Sequence, residues 1–318
     1  IRLSEKLINW RFAPDGKSIL TLDRQGRLAR LTGHDFQESE TVIDVGAIEV
    51  GALVKSMFRL SLISTDCRLA AVGTTTGGVQ VWDLQRRKLL HKVSVSTGNV
   101  WPLGFLLKSR KLFVYCEHDS SIREWDMSEW RETRSCTAKR IVPPFAATSD
   151  EHWLLLGQRG GRDLVLNTAT GGEHRLDPYT GFSWGATFSA NGKRFAGASS
   201  TGFVKLWEWD AVTGTRRQAH TFDRFMLGAH SVAFSPDNKR LAAGSSGHES
   251  IRLWDVESKE DLLALDEPSW GSWKTDFSPD GNVLGSLDML GVLRLWRAPS
   301  WEEIATAEAK EKAVLKQP

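Results

Sequence analysis

Cysteine is scarce in this chain. Cys67, Cys116 and Cys136 are three among 318 residues, odd in number and without CxxC spacing, which excludes a disulfide framework and a zinc ribbon. Reduced thiols in a cytosolic compartment are the expectation. One-sided charge is missing too. The 41 Lys and Arg face 39 Asp and Glu, a formal charge of +2, so no strong field steers nucleic acid or an anionic membrane towards the chain. No apolar run reaches the ~20 residues that span a bilayer. The chain opens on Ile1 without a signal-peptide pattern, so it is expected to be a cytoplasmic piece of something longer, without membrane insertion.

The motifs of catalysis are also absent. "GSSG" at Gly244 and "GASSTG" at Gly197 have the wrong spacing for a GxSxG nucleophile elbow. "GQRGGR" at Gly157 lacks the Lys-Ser/Thr that would reach phosphate and magnesium, and reads as a hairpin turn. The eight histidines form no HExxH pair. "CEHD", from Cys116 to Asp119, places Cys116 and His118 on one strand face but falls short of the three or four ligands a metal needs. The basic clusters "QRRK" at Arg86 and "TRRQ" at Arg216 read as solvated turns. No catalytic residue, metal or cofactor is assigned, and the expectation is not an enzyme.

What the chain does have is repetition. Apolar strand-like runs end in tryptophan at "GVQVWD" (Trp82), "SIREWD" (Trp125), "FVKLWEWD" (Trp207), "SIRLWD" (Trp254) and "VLRLWR" (Trp296). A second landmark, "FAPDG" at Phe12, "FSANG" at Phe188, "FSPDN" at Phe234 and "FSPDG" at Phe277, marks hairpin turns between period-2 apolar runs. Weaker copies at Leu62, Phe105 and Ala147 complete seven units spaced 41 to 50 residues apart. In one unit Phe234 ends a first strand, Arg240–Ser246 makes a second, "SIRLWD" a third and Asp261–Asp266 a fourth.

Four short antiparallel strands every ~40–45 residues are the signature of a propeller blade. The chain resembles the WD-repeat (tryptophan–aspartate repeat) β-propeller family over nearly its whole length. The resemblance implies an all-β, seven-bladed propeller over residues 1–299, monomeric, with no enzymatic role. The third-strand tryptophan would fill the wedge between blades, removing roughly 200 Å² from water, up to ~5 kcal/mol at about 25 cal/mol/Å². Blades one and four carry Leu31 and Leu166 there instead and are expected to be the loosest. The family's buried polar network needs an aspartate six residues before that tryptophan. Only Asp119 fits, so the network is expected to be mostly gone.

Four residues before the turn landmarks stand Phe58, Trp101, Trp184 and Trp273, with Ile8, Pro143 and His230 at the other positions. In the family, the first strand lines the central channel and begins at the face where partners dock. Phe58, Trp101, Trp184, His230 and Trp273 are therefore candidate partner-binding residues, an aromatic rim for a protein or peptide, including a domain of the same parent chain. The alternative is that these rings pack between blades.

After Trp296 the chain reads "APSWEEIATAEAKEKAVLK", with a capping-box spacing between Ser300 and Glu303 and good helix formers beyond. A helical tail over 300–318 is predicted, although Glu302–Ala307 aligns equally with a fourth strand. If it is helical, Ile1–Leu3 is expected to close the ring. "LWRAPSWEEI" also resembles the ends of propellers appended to bacterial serine/threonine protein kinases. The function expected is a non-catalytic interaction scaffold in a bacterial signalling protein. A sensory or ligand-binding propeller, or an enzyme, using the central channel is the competing reading, which converging charged side chains in the channel would favour.

Overall fold

The structure is a computed structural model that describes residues 2–5, 7–33, 35–46, 61–137, 141–158, 163–176, 183–222 and 225–298. The chain starts with β1 (Arg2–Glu5) and then lays down blades in sequence. Blade one holds β2 (Leu7–Phe12), β3 (Ile19–Asp23), β4 (Arg27–Thr32) and β5 (Glu38–Asp44); blade two holds β6 (Ser61–Ile63), β7 (Leu69–Gly73), β8 (Gly78–Asp83) and β9 (Lys88–Ser94). Blade three comprises β10 (Val100–Leu106), β11 (Lys111–Cys116), β12 (Ser121–Asp126) and β13 (Arg131–Thr137), and blade four β14 (Ile141–Ala147), β15 (Trp153–Gln158), β16 (Leu164–Asn167) and β17 (Glu173–Arg175). Blade five comprises β18 (Ser183–Phe188), β19 (Arg194–Ser199), β20 (Val204–Asp210) and β21 (Thr215–Phe222), and blade six β22 (Ala229–Phe234), β23 (Arg240–Ser245), β24 (Gly247–Asp255) and β25 (Asp261–Ser269). Blade seven has β26 (Ser272–Phe277), β27 (Val283–Asp288) and β28 (Val292–Arg297), and its fourth strand is β1.

Seven four-stranded antiparallel sheets result, as the landmark spacing predicted. The N-terminal strand closes the ring, with Arg2 opposite Arg294 and Leu3 opposite Leu293. Two backbones that are remote in sequence thereby cover each other's edges, which would otherwise offer unpaired N–H and C=O groups. The predicted helical tail over 300–318 lies outside the described residues.

The turn landmark owes its recurrence to one hydrogen-bond device. In blades two, four, five, six and seven the hydroxyl of Ser64, Thr148, Ser189, Ser235 or Ser278 donates to Asp66, Asp150, Asn191, Asp237 or Asp280 two residues on. The same oxygen accepts the backbone N–H five residues on, at 2.8–3.1 Å. Partial burial works against ionisation of Asp150, Asp237 and Asp280, yet the hydroxyl and a backbone N–H hold each carboxyl below its usual range.

Carboxylates hold the turn into the third strand in more blades than the one family-spaced aspartate, Asp119, suggests. Asp119 ties Ser121 and Arg123 as the repeat pattern suggests, with Arg123 Nη2 at 2.6 Å. In blades one and seven an aspartate at the end of the second strand does the same work. Asp23 Oδ1 accepts the N–H groups of Gln25 and Arg27 and pairs with the Arg27 side chain at 2.9 Å; Asp288 accepts those of Leu290 and Val292 and pairs with Arg294 at 2.7 Å. The carboxylate has moved along the chain but still pins the turn into the third strand.

Trp125, Trp207 and Trp254 are buried between blades, while Trp82 and Trp296 are half-buried. Blades one and four, without that tryptophan, fill the wedge from other strands. Trp10 of β2 is fully buried against Leu287, Leu293 and Leu295 of blade seven. Its ring lies where a Cβ on Gly285 would come within 2.2 Å, so only glycine fits there. Trp153 of β15 packs edge-on to Trp209 of blade five and donates its indole N–H to Ala211 O at 2.8 Å.

Candidate functional site

The rim residues take their geometry from a defect in the ladder. Pairing of first and second strands slips by one residue between Leu7 and Asn9, Pro102 and Gly104, Ser183 and Gly185, Ala229 and Ser231, and Ser272 and Lys274. The residue skipped at each slip is Ile8, Leu103, Trp184, His230 or Trp273. A bulge leaves its extra residue unpaired and re-aims the side chain. In blades five, six and seven the three rings meet. Trp184 and Trp273 stack with centroids 5.0 Å apart, and the His230 ring stands 4.7 Å from Trp184 and 5.8 Å from Trp273.

Trp101 is not part of that cluster. In blade three the slip falls two residues later, at Leu103, so Trp101 remains in the regular ladder opposite Tyr115. It packs on that ring at 5.2 Å and is buried. Phe58 lies outside the described residues. Of the five sequence candidates, three are gathered at one site, and Trp101 is buried on Tyr115 with an edge on the channel cavity.

His230 is held neutral. Burial lowers its pKa to about 4, and its Nε2 shares a hydrogen bond of 2.9 Å with Ser246 Oγ.

Around this cluster lies an apolar surface that the sequence reading missed. Consecutive antiparallel strands bring the fourth-to-first and the second-to-third connections out on the same face, the face where first strands begin. There, Met226 and Leu227 are 85% and 63% exposed, Trp270 is 70% exposed and Leu290 50% exposed. They belong to blades five to seven, like the ring cluster. Leu227 reaches to 2.9 Å from where a Cβ on Gly247 would be, and Gly271 has both Met289 and Ser246 within 3.3 Å of that position. The visible signal was the wording "FMLG" and "SWGS", apolar residues in connections that ought to be polar.

Behind the rings the channel opens into a cavity of about 350 Å³. Trp101, Trp184 and Trp273 line it at the starts of the first strands, Arg11 and Asp276 further along. Lys274 donates to Asn9 Oδ1 at 2.9 Å and to the Trp10 carbonyl, and Asn9 in turn donates to Ser61 O at 2.9 Å. One polar chain thus links blades seven, one and two across the closure. The Lys274 stem is half-buried along the channel while its ammonium sits deep inside the ring; burial, with the Arg11 charge beside it, lowers its pKa to about 7. Among the described residues no three His, Cys, Asp or Glu converge as a metal would require.

The family described as "WD domain, G-beta repeat" matches residues 218–255, a stretch running from β21 to the Trp254–Asp255 end of β24. The fold supplies six more units of the same build. The chain is a seven-bladed propeller that carries a WD repeat at 218–255. Human apoptotic protease-activating factor 1 is similar at 23% identity over 301 residues, 91% of this propeller and 22% of that protein. Periodic tryptophan protein 2 of Arabidopsis thaliana is 22% identical over 233 residues, 73% of this chain and 21% of its own. Protein transport protein sec13 of Aspergillus oryzae is 22% identical over 256 residues, 76% of this chain and 80% of its own. The propeller therefore spans about a fifth of the first two relatives and most of the third. No helix among the described residues is long and apolar enough to cross a membrane.

Proposed function

We propose that this WD-repeat propeller is a non-catalytic scaffold that docks another protein, or a segment of its own parent chain, on the face formed by blades five to seven. The observation that supports this reading is the coincidence of exposed Met226, Leu227, Trp270 and Leu290 with the Trp184–His230–Trp273 cluster on one face. Contiguous exposed apolar surface on a soluble domain marks interaction sites, and aromatic side chains dominate the energetics of such contacts. The wording of the last blade adds a bacterial signalling protein in the cytoplasm as the setting, although the relatives named above are eukaryotic.

Proximity labelling with the wild-type chain, with a Met226→Ser/Trp270→Ser double variant and with Trp184→Ala tests it, with melting temperatures recorded in parallel. The double variant is expected to lose its labelled neighbours and keep its melting temperature, because both side chains are already in water. Unchanged labelling by that variant would sink the docking face. A large fall in melting for Trp184→Ala would assign that ring to blade packing.

A further inference from the structure

The ring interior holds a charge imbalance that no docking of apolar side chains explains. Among the described residues lining the cavity are two cations, Arg11 and Lys274, and one acid, Asp276. Neither cation has a carboxylate partner among the described residues. Lys274 donates to two neutral oxygens, Asn9 Oδ1 and Trp10 O, and its charge meets no carboxylate within ion-pair distance among the described residues. Arg11 makes no ion pair among the described residues, and its Nε is buried without an acceptor. Cations in such a place are normally paired or coordinated.

We propose that the channel is a carboxylate-binding site, in which Lys274 and Arg11 hold the acidic side chain of a docked peptide whose apolar flanks lie on Trp184 and Trp273. This rests on the docking reading above and names the chemistry of the partner. Two cations against one acid leave a single positive charge, which matches a carboxylate monoanion better than a phosphate dianion. The cavity, about 350 Å³, is at the small end of ligand pockets, which run about 300–1,000 Å³; it takes a side chain or a small acid, not a folded element. Asn9, Ser231 and Thr275 already hold one another or the backbone, leaving the two cations as the groups with unmet demand. A bound carboxylate would favour charged Lys274, so binding takes up a proton near neutral pH; the groups facing that ammonium are Arg11, Asp276 and Cys67.

The test is calorimetric titration of the full chain with Ac-Phe-Glu-Phe-NH2, its Gln analogue, benzoate and benzamide, at low salt and pH 6.5, in buffers of different ionisation enthalpy. The Glu peptide is expected to bind at least tenfold more tightly than the Gln peptide, with proton uptake. That preference should collapse in Lys274→Met and in Arg11→Met but persist in Lys274→Arg, with melting temperature recorded for each. Benzoate binding as tightly as the Glu peptide would keep the carboxylate site and turn its ligand into a small acid, against the docking reading. Equal binding of the Glu and Gln peptides overturns the carboxylate site and leaves the docking face standing. Absence of binding by all four probes overturns the site as well, whatever the labelling experiment returns.

Discussion

Glu124 is 3% exposed in β12, one residue before the wedge tryptophan Trp125, and is held by Lys111 Nζ at 2.7 Å and Thr133 Oγ1 at 2.9 Å. Removing one partner of a buried pair strands the other charge. Lys111→Met is therefore expected to lower stability by about 3–5 kcal/mol, read from urea unfolding; Thr133→Val, which removes a single hydrogen bond, should cost about 1–2 kcal/mol. Lys274 behaves in the opposite way. Its folded pKa, about 7, lies below the usual 10.5, so the unfolded chain binds the extra proton between these values and stability rises with pH across that window. Lys274→Met should then be more stable than wild type at pH 6, with the advantage narrowing as pH is raised from 7 towards 10. For His230, lowered to about 4 from 6.5, the window is acidic: stability present above pH 6.5 is lost as pH falls towards 4, and a His230→Phe variant should flatten that limb of the pH profile.

At the scale of the strand, Gly185 shows how tightly neighbouring first strands approach. A Cβ at that position would come within 2.7 Å of Ser231 Cα, a backbone atom with nowhere to go. Gly185→Ala is expected to disturb the Trp184–His230 contact and to lower the melting temperature by several degrees, because about 1 kcal/mol is worth 2–4 °C in a domain of this size. The strands and their order were legible beforehand, because period-2 patterning and turn chemistry are local. That Trp184, His230 and Trp273 share one position on their first strands was also legible, from spacing. The fate of Trp101 was not, since its register depends on where β10 slips against β11, a relation between two strands that one strand's pattern does not contain. Asp23 and Asp288 escaped notice for a similar reason: they hold the same turn from a different position in the chain. The exposed Met226 and Trp270 could have been noticed, as apolar residues in connections.

At the scale of the whole ring, seven blades depend on one non-covalent closure, β1 on β28. Removing residues 1–5 would expose the edge of β28 in blade seven. The truncated chain is expected to melt earlier and to form concentration-dependent oligomers by light scattering, as uncovered edges do. The Asn9–Lys274 bridge is expected to remain, because it joins blade one to blade seven through the first strands. The closure also sets how the molecule answers tension. Arg2 lies opposite Arg294, so a pull applied through Arg2 and Arg297 acts at one end of an antiparallel pair. Its rungs then come under load singly, like the teeth of a zip fastener, where a sheared pair would share the load among all of them. Force spectroscopy between these two residues should find blade seven yielding first and at low force, so the ring is soft towards a tug along its own chain.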